Sequence, residues 1–181
     1  IKDHAQYTFE KGNICDQSFL ESIFSRHNFD AILHLAAESH VDLSISNPSI
    51  FVQTNIVGTQ NLLEMARIHQ VGRFIHISTD EVYGHLDNQA PAFTEETPLA
   101  PRSPYSASKA GSDMLVKSYV ETFNIDACIT RCSNNYGPHQ DKTKLLPKTI
   151  INALSDQPIP VYGKGENIRD WLFVYDNVEA I

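Results

Sequence analysis

The stretch Arg73-Phe74-Ile75-His76-Ile77-Ser78-Thr79-Asp80-Glu81-Val82-Tyr83-Gly84 decides the fold. Its first half is a short, largely apolar run. Its second half turns polar at once and leaves on a glycine. A run of this kind suits a strand buried in a parallel sheet. Ligands of such sheets gather at the carboxyl ends of the strands, so Thr79-Asp80-Glu81 stands where chemistry is expected. The same reading recurs on either side. Ala31-Ile32-Leu33-His34-Leu35 is a second apolar run, expected to be buried on both faces, and it leads into Ala36-Ala37-Glu38-Ser39-His40. Ala127-Cys128-Ile129-Thr130-Arg131 is a third, leading into Cys132-Ser133-Asn134-Asn135-Tyr136-Gly137. Three consecutive strand ends thus carry small, polar or ionisable residues.

Helical patterns fill the intervals. Asp16 can cap a helix whose apolar face carries Leu20, Ile23 and Phe24. A long helix is predicted from Pro48 to His69, with the proline in its first turn. Further helices are predicted over 106–123 and 145–154, and short strands over 7–10 and 159–162. Residues 84–104 hold Pro91, Pro98, Pro101 and Pro104 and read as one long loop. Strands alternating with helices imply an α/β protein with a doubly wound parallel sheet. A glycine-rich strand-to-helix turn, the usual pyrophosphate cradle, is missing; the close pair Gly163 and Gly165 falls at the wrong place. The chain does not open on Met. It reads as an internal piece whose missing turn is expected upstream of Ile1.

The 181 residues are 41% hydrophobic and 20% charged, an ordinary globular composition. A net charge of −8 with no basic stripe argues against nucleic acid or an anionic membrane as the main partner. No apolar run approaches the ~20 residues that span a bilayer. The sparse, odd set Cys15, Cys128 and Cys132 suits a reducing, cytoplasmic compartment and no metal site. His34 and His76, inside strands, read as core residues.

Tyr105-Ser106-Ala107-Ser108-Lys109 places a phenol and an ammonium four apart on one helix face. A free phenol titrates near 10, and a neighbouring ammonium favours its ionised form. Asp80 and Glu81, adjacent at a strand end, can divide acid and base roles if their surroundings separate them.

With these residues the chain resembles the extended short-chain dehydrogenase/reductase superfamily, and within it the dTDP-glucose 4,6-dehydratases. The matching segments are LAAESHVD (35–42), TNIVGT (54–59), STDEVYG (78–84), PYSASKAGSD (104–113), TRCSNNYGP (130–138), KLLP (144–147) and RDWLFVYD (169–176). They cover nearly the whole chain in order. STDEVYG separates dehydratases from epimerases. The resemblance implies a Rossmann-like fold, with 1–140 a partial NAD-binding domain and 141–181 the start of an interleaved sugar-nucleotide region.

It also implies roles. Tyr105, with Lys109 and Thr79, takes the C4 hydroxyl proton of dTDP-glucose while a hydride passes to NAD. Glu81 removes the C5 proton, and Asp80 protonates the departing C6 hydroxyl. The hydride returns to C6, giving a 4-keto-6-deoxy sugar nucleotide. Asn13, Ile14, Leu35, Ala36, Ala37, Thr54, Tyr105, Lys109 and Asn135 match NAD-contacting positions. Ser39, Thr79, Asn134, Lys144, Leu145, Pro160, Val161, Tyr162 and Arg169 match positions that hold the nucleotide sugar. For Arg169 an ion pair with Asp170 is the plainer reading. A homodimer through the 48–69 and 105–123 helices, and a role in dTDP-rhamnose supply, are further implications. Asn13 and Leu43 stand where the family usually has Asp and Arg. A sugar-nucleotide 4-epimerase, or an inactive fragment of such an enzyme, are the alternatives.

Overall fold

The structure is a computed structural model, and it describes residues 4–87, 89–161 and 163–181. The chain divides into two compact units, Ile1–Thr130 and Arg131–Ile181.

The first unit is built on three parallel strands, β1 (Ala31–His34), β2 (Arg73–Ile77) and β3 (Ala127–Thr130), in the spatial order β1-β2-β3. The register pairs His34 with His76 and Ile77 with Thr130, so the three carboxyl ends are level. The sheet carries one further bond past its formal end, Ser78 N to Thr130 O at 2.7 Å. All three strands are where the apolar runs put them, separated by helices as the alternation requires.

Helix α1 (Gln17–Phe24) begins where Asp16 Oδ1 accepts from Phe19 N at 3.0 Å. It buries Leu20 and Phe24. The expected helix from Pro48 is one helical run in three parts: α3 (Pro48–Phe51), a π-helical segment (Val52–Val57) and α4 (Gly58–Ile68). Gly58 sits at the junction because a Cβ there would lie 2.5 Å from Ile14 Cδ1. The segment before α1 is thereby laid directly on the helix. Helix α5 (Pro104–Phe123) opens with a reciprocal capping box between Ser103 and Ser106 and has Pro104 in its first turn. Leu20, Phe24, Leu62, Leu63, Met65, Phe74, Val116 and Tyr119 close one continuous core from α1, α4, β2 and α5.

Several expectations are corrected. Residues 7–10 are not a strand: none of β1 to β3 pairs with them, and Phe9 is 70% exposed. An extended segment with no ladder partner has nothing to hold it as sheet. β1 is not buried on both faces. It is an edge strand of this unit, with Leu33 47% exposed and only His34 fully buried. Helix α2 (Val41–Ser46) was not signalled, because it buries only Ser44 and offers no apolar stripe.

The second unit pairs β4 (Asn134–Tyr136) with β5 (Trp171–Phe173) in parallel. It adds α6 (Leu145–Leu154), as predicted, and α7 (Val174–Ala180). The sequence reading named none of β4, β5 and α7. Residues 159–161 form no strand, and Tyr162 lies outside the described residues. No helix among the described residues is long and apolar enough to cross a membrane.

Past β2 the chain makes a 3₁₀ turn, Asp80–Tyr83, closed by Gly84 N donating to Glu81 O at 3.2 Å. Gly84 has φ 91°, and a Cβ there would fall 2.2 Å from Ala100 O. Ala100 N in turn donates to Val82 O at 3.0 Å, and Tyr83 stacks on Phe93 at 5.1 Å. The proline-rich loop is thus pinned back onto the turn. Gly84→Ala should lower stability by about 1–3 kcal/mol, read from the urea midpoint, since both the left-handed backbone and the carbonyl contact oppose a side chain.

Candidate active site

One side chain joins the two motifs of the first unit. Lys109 is 4% exposed, and its Nζ donates to Ile77 O at 2.6 Å. Ile77 is the last residue of β2, and the next residues are Ser78, Thr79, Asp80 and Glu81. A buried ammonium must spend its hydrogen bonds on protein acceptors. Here one of them is the carbonyl that closes β2.

Thr79 Oγ1 accepts from Glu81 N at 3.3 Å and donates to Asp80 Oδ1 at 3.2 Å. It is the cap of the 3₁₀ turn and a direct partner of one carboxylate. That turn packs against α5. Tyr105 lies one helical turn before Lys109, within the first turn of α5 and half-buried, with its ring edge-on to Phe51 at 6.3 Å. The helix N-terminus favours negative charge, which suits an ionised phenol.

The strand-end segment after β1 is anchored by Asn55. Its Oδ1 accepts from Glu38 N at 2.8 Å, and its Nδ2 donates to Glu38 O at 3.0 Å and to Ser108 Oγ at 2.8 Å. Ser108 Oγ donates onward to Tyr105 O at 2.7 Å. Leu35, Ala36, Ala37 and Ser39 flank the held Glu38 and are exposed. Thr54, half-buried, precedes Asn55 in the π segment, an irregularity frequent at functional sites. Asn13 and Ile14 are docked on the same helix: Asn61 Nδ2 donates to Ile14 O at 3.0 Å, Cys15 Sγ donates to Gln53 O at 3.2 Å, and Asn13 Oδ1 accepts from Cys15 N at 2.9 Å. Sequence reasoning passed over Asn55 and Ser108. The available signal was an amide buried mid-helix beside Thr54, a place where an amide needs specific partners.

In the second unit Asn135 Nδ2 donates to Cys132 Sγ at 3.2 Å and to Ser133 O at 3.1 Å, while its main-chain O accepts from Gln140. Asn134 begins β4. Lys144 is the N-cap residue of α6, and Leu145 begins that helix and is 47% exposed. Pro160 is half-buried and Val161 exposed. Arg169 is exposed and donates to Ile168 O at 2.7 Å, whereas Asp170 Oδ1 accepts from Trp171 N at 3.0 Å. The two form no ion pair with each other. The three cysteines are free, and among the described residues no group of three or more His, Cys, Asp and Glu could hold a metal ion.

Some buried polar atoms find no partner among the described residues. Ser78 Oγ and Thr130 Oγ1, at neighbouring strand ends, are two of them, and Asn135 Oδ1 is another. Unpaired polar atoms at strand ends mark places that a polar ligand can satisfy.

Level parallel strands, the central one ending on the Thr79-Asp80-Glu81 turn with Lys109 of α5 bonded to its last carbonyl, define a Rossmann-like sheet of the extended short-chain dehydrogenase/reductase type. The chain belongs to the family described as GDP-mannose 4,6 dehydratase, which matches residues 1–181. A dTDP-glucose 4,6-dehydratase of Neisseria meningitidis serogroup B is 52% identical over 190 residues, spanning 100% of this chain and 54% of that protein. The chain therefore spans about half the length of the curated relatives it matches. A dTDP-glucose 4,6-dehydratase structure from Streptomyces venezuelae, with NAD bound, superposes with a TM-score of 0.91 at 43% identity, over 98% of this chain and 54% of that one. A UDP-glucose 4-epimerase from Thermotoga maritima superposes at 0.92 but is 30% identical, over 98% of this chain and 58% of that one.

His34 gives the site a measurable electrostatic signature. Burial, then the fields of His76 and Lys109, push its pKa down to about 3. The folded protein therefore keeps His34 neutral where the unfolded chain, near 6.5, takes up a proton. Its contribution is complete above about pH 6.5 and is lost as pH falls toward 3. Between pH 7 and 5 this should cost about 2 kcal/mol of unfolding free energy. His34→Gln should flatten that limb in urea titrations at the two pH values.

Proposed function

We propose that the full-length protein containing this chain is an NAD-dependent dTDP-glucose 4,6-dehydratase. The observation that carries the reading is the Lys109 Nζ–Ile77 O bond, which fixes the Tyr-x-x-x-Lys helix to the strand end bearing Thr79-Asp80-Glu81. The sequence similarity to dehydratases over the whole chain supports it.

The donor set suits NAD. An amide acceptor at Asn13, main chain at Ile14 and at Leu35-Ala36-Ala37, the hydroxyls of Thr54 and Tyr105, the Lys109 ammonium and the Asn135 amide match the hydroxyls and carboxamide of a dinucleotide. The orphaned hydroxyls of Ser78 and Thr130 support a polar occupant at the strand ends. When bound, NAD supplies hydride acceptance from C4 and hydride return to C6 within one cycle.

The protein's residues handle protons. Tyr105, ionised with help from Lys109 and the helix N-terminus, takes the proton of the C4 hydroxyl. Thr79 orients that hydroxyl and steadies Asp80. A 4-ketone acidifies the C5 proton, which passes to Glu81. Asp80 delivers a proton to the C6 oxygen as its bond breaks, and water leaves. The electrons of the C5–H bond form the C5–C6 double bond. The Glu81 proton then goes back to C5 as C6 is reduced; Tyr105 loses its proton to water and Asp80 takes one up from water, which restores both groups for the next cycle. Ser39, Asn134, Lys144, Leu145, Pro160, Val161, Tyr162 and Arg169 are the proposed nucleotide-sugar contacts, Arg169 through its guanidinium on the pyrophosphate.

We further propose a cytoplasmic homodimer without nucleic-acid partners, serving dTDP-rhamnose supply. Three free cysteines support a reducing compartment, and the −8 charge argues against nucleic acid. Exposed Ile68, Met114 and Phe123 on α4 and α5 support a helical contact between subunits.

In the full-length protein with dTDP-glucose, Glu81→Gln should reduce formation of the alkali-absorbing 4-keto product about 10²–10⁴-fold, while C4 oxidation, read as NADH absorbance, persists. Tyr105→Phe should suppress both. Unchanged turnover in Glu81→Gln would point to a 4-epimerase instead.

A further inference from the structure

Beneath the strand ends runs a polar seam that the proposed reaction does not use. His34 and His76 are register partners on β1 and β2, with rings 5.3 Å apart. His76, Ser112 and Asp113 are 0% exposed, and Lys109 is 4% exposed. Asp113 is the only fully buried carboxylate among the described residues.

The hydrogen-bond directions are fixed. Ser112 Oγ donates to Lys109 O at 2.8 Å. It therefore accepts from His76 Nε2, 3.0 Å away, so that nitrogen carries the proton. The same Nε2 lies 3.5 Å from Asp113 Oδ1. Asp113 thus lies against β2 at the residue just before Ile77, whose carbonyl holds Lys109. Tyr105, Lys109 and Asp113 recur every fourth residue along α5, on one face, with adjacent members about 6 Å apart along the axis. A lone ammonium buried to this degree costs several kcal/mol, whereas a nearby carboxylate offsets that cost. The field of Lys109 is felt across the seam, since it helps push His34 down to about 3. His34 stays neutral and cannot serve as a competing cation.

Other titratable groups sit on the elements around α5. Asp80, Glu81 and Tyr83 are on the 3₁₀ turn, Asp42 is on α2, and Cys128 is on β3. Glu64 and Arg67 of α4 pair with each other near Tyr119, ten residues beyond Lys109 on α5. The π segment and α3 carry none. Asp80 and Glu81 are half-buried and are assigned to the substrate in the proposed reaction.

We propose that Asp113 is a positioning residue: its buried carboxylate, packed beside His76, is the counter-charge that keeps Lys109 an ammonium and so keeps Tyr105 able to act as a base. The role of Tyr105 in this statement rests on the dehydratase reading; the charge state of Lys109 does not.

The test is direct titration of Lys109 by NMR in the full-length protein labelled at lysine 13Cε, with Lys109→Arg assigning the signal. Asp113→Asn, which keeps shape and removes charge, should lower the Lys109 midpoint by at least one pH unit. His76→Asn, which removes the ring packed on the carboxylate and lets it move away from Lys109, should move it the same way by less, and carries the test alone if circular dichroism finds Asp113→Asn unfolded. An unchanged or raised midpoint in the folded variant overturns the proposal. The acid limb of the pH–rate profile should also move upward in the same variant, and a downward move overturns the link to Tyr105. A lowered Lys109 midpoint in a protein that makes no 4-keto product would instead sink the dehydratase reading and leave Asp113 as the counter-charge.

Discussion

A buried ammonium is costly, and the bond from Lys109 Nζ to Ile77 O is one of the contacts that make it tolerable. That bond couples two elements far apart in sequence. It allows α5 little freedom to slide along or rotate against β2, because any shift withdraws the carbonyl from a charge out of contact with water. The start of α5 is set independently by the Ser103–Ser106 capping box and by Pro104. With both ends fixed, Tyr105 sits in the first turn of a helix that packs against the turn carrying Asp80 and Glu81.

A second set of contacts sets the neighbouring strand end. Asn55 holds the main chain at Glu38 from both sides and reaches Ser108, the residue just before Lys109. A regular α-helix through 52–57 would aim this side chain differently; the widened π turn is where its direction is adjusted. Thr59 Oγ1 donates to Asn55 O at 2.6 Å and accepts from His34 Nε2 at 2.9 Å, so the helix is also tied down into β1. Paired buried polar groups of this kind make such a scaffold specific as well as stable. The flanking Leu35, Ala36, Ala37 and Ser39 remain exposed around a fixed point, an arrangement suited to main-chain contact with a ligand.

Much of the architecture was legible from residues alone. The apolar runs at 31–35, 73–78 and 127–131 gave the strands because short β-rich runs with polar exits have few other uses. Asp16 marked a helix start through local chemistry that needs no partner, whereas Pro104, read as part of the loop, opens α5 two residues before the predicted start. The misses share a cause. Helix α2 buries only Ser44, so no periodicity announced it. β4 is polar and exists only because β5 lies beside it. Residues 7–10 have the right composition for a strand and no partner among β1 to β3. Strand identity resides in pairing, and pairing is not written in one segment.

The same division applies to the candidate site. The sequence by itself determined which groups are on hand: a phenol and an ammonium one turn apart, and two carboxylates behind a threonine, since helix periodicity and chain adjacency guarantee those local relations. Only the tertiary structure decided that the ammonium reaches the carbonyl ending β2, that Asn55 clamps the loop after β1 to the helix bearing Tyr105, and that Asp113 lies against His76. Those relations join residues 17 to 53 positions apart. They follow from where helices dock on the sheet, through summed burial of Leu63, Phe74, Val116 and their neighbours, a global outcome that no local pattern encodes.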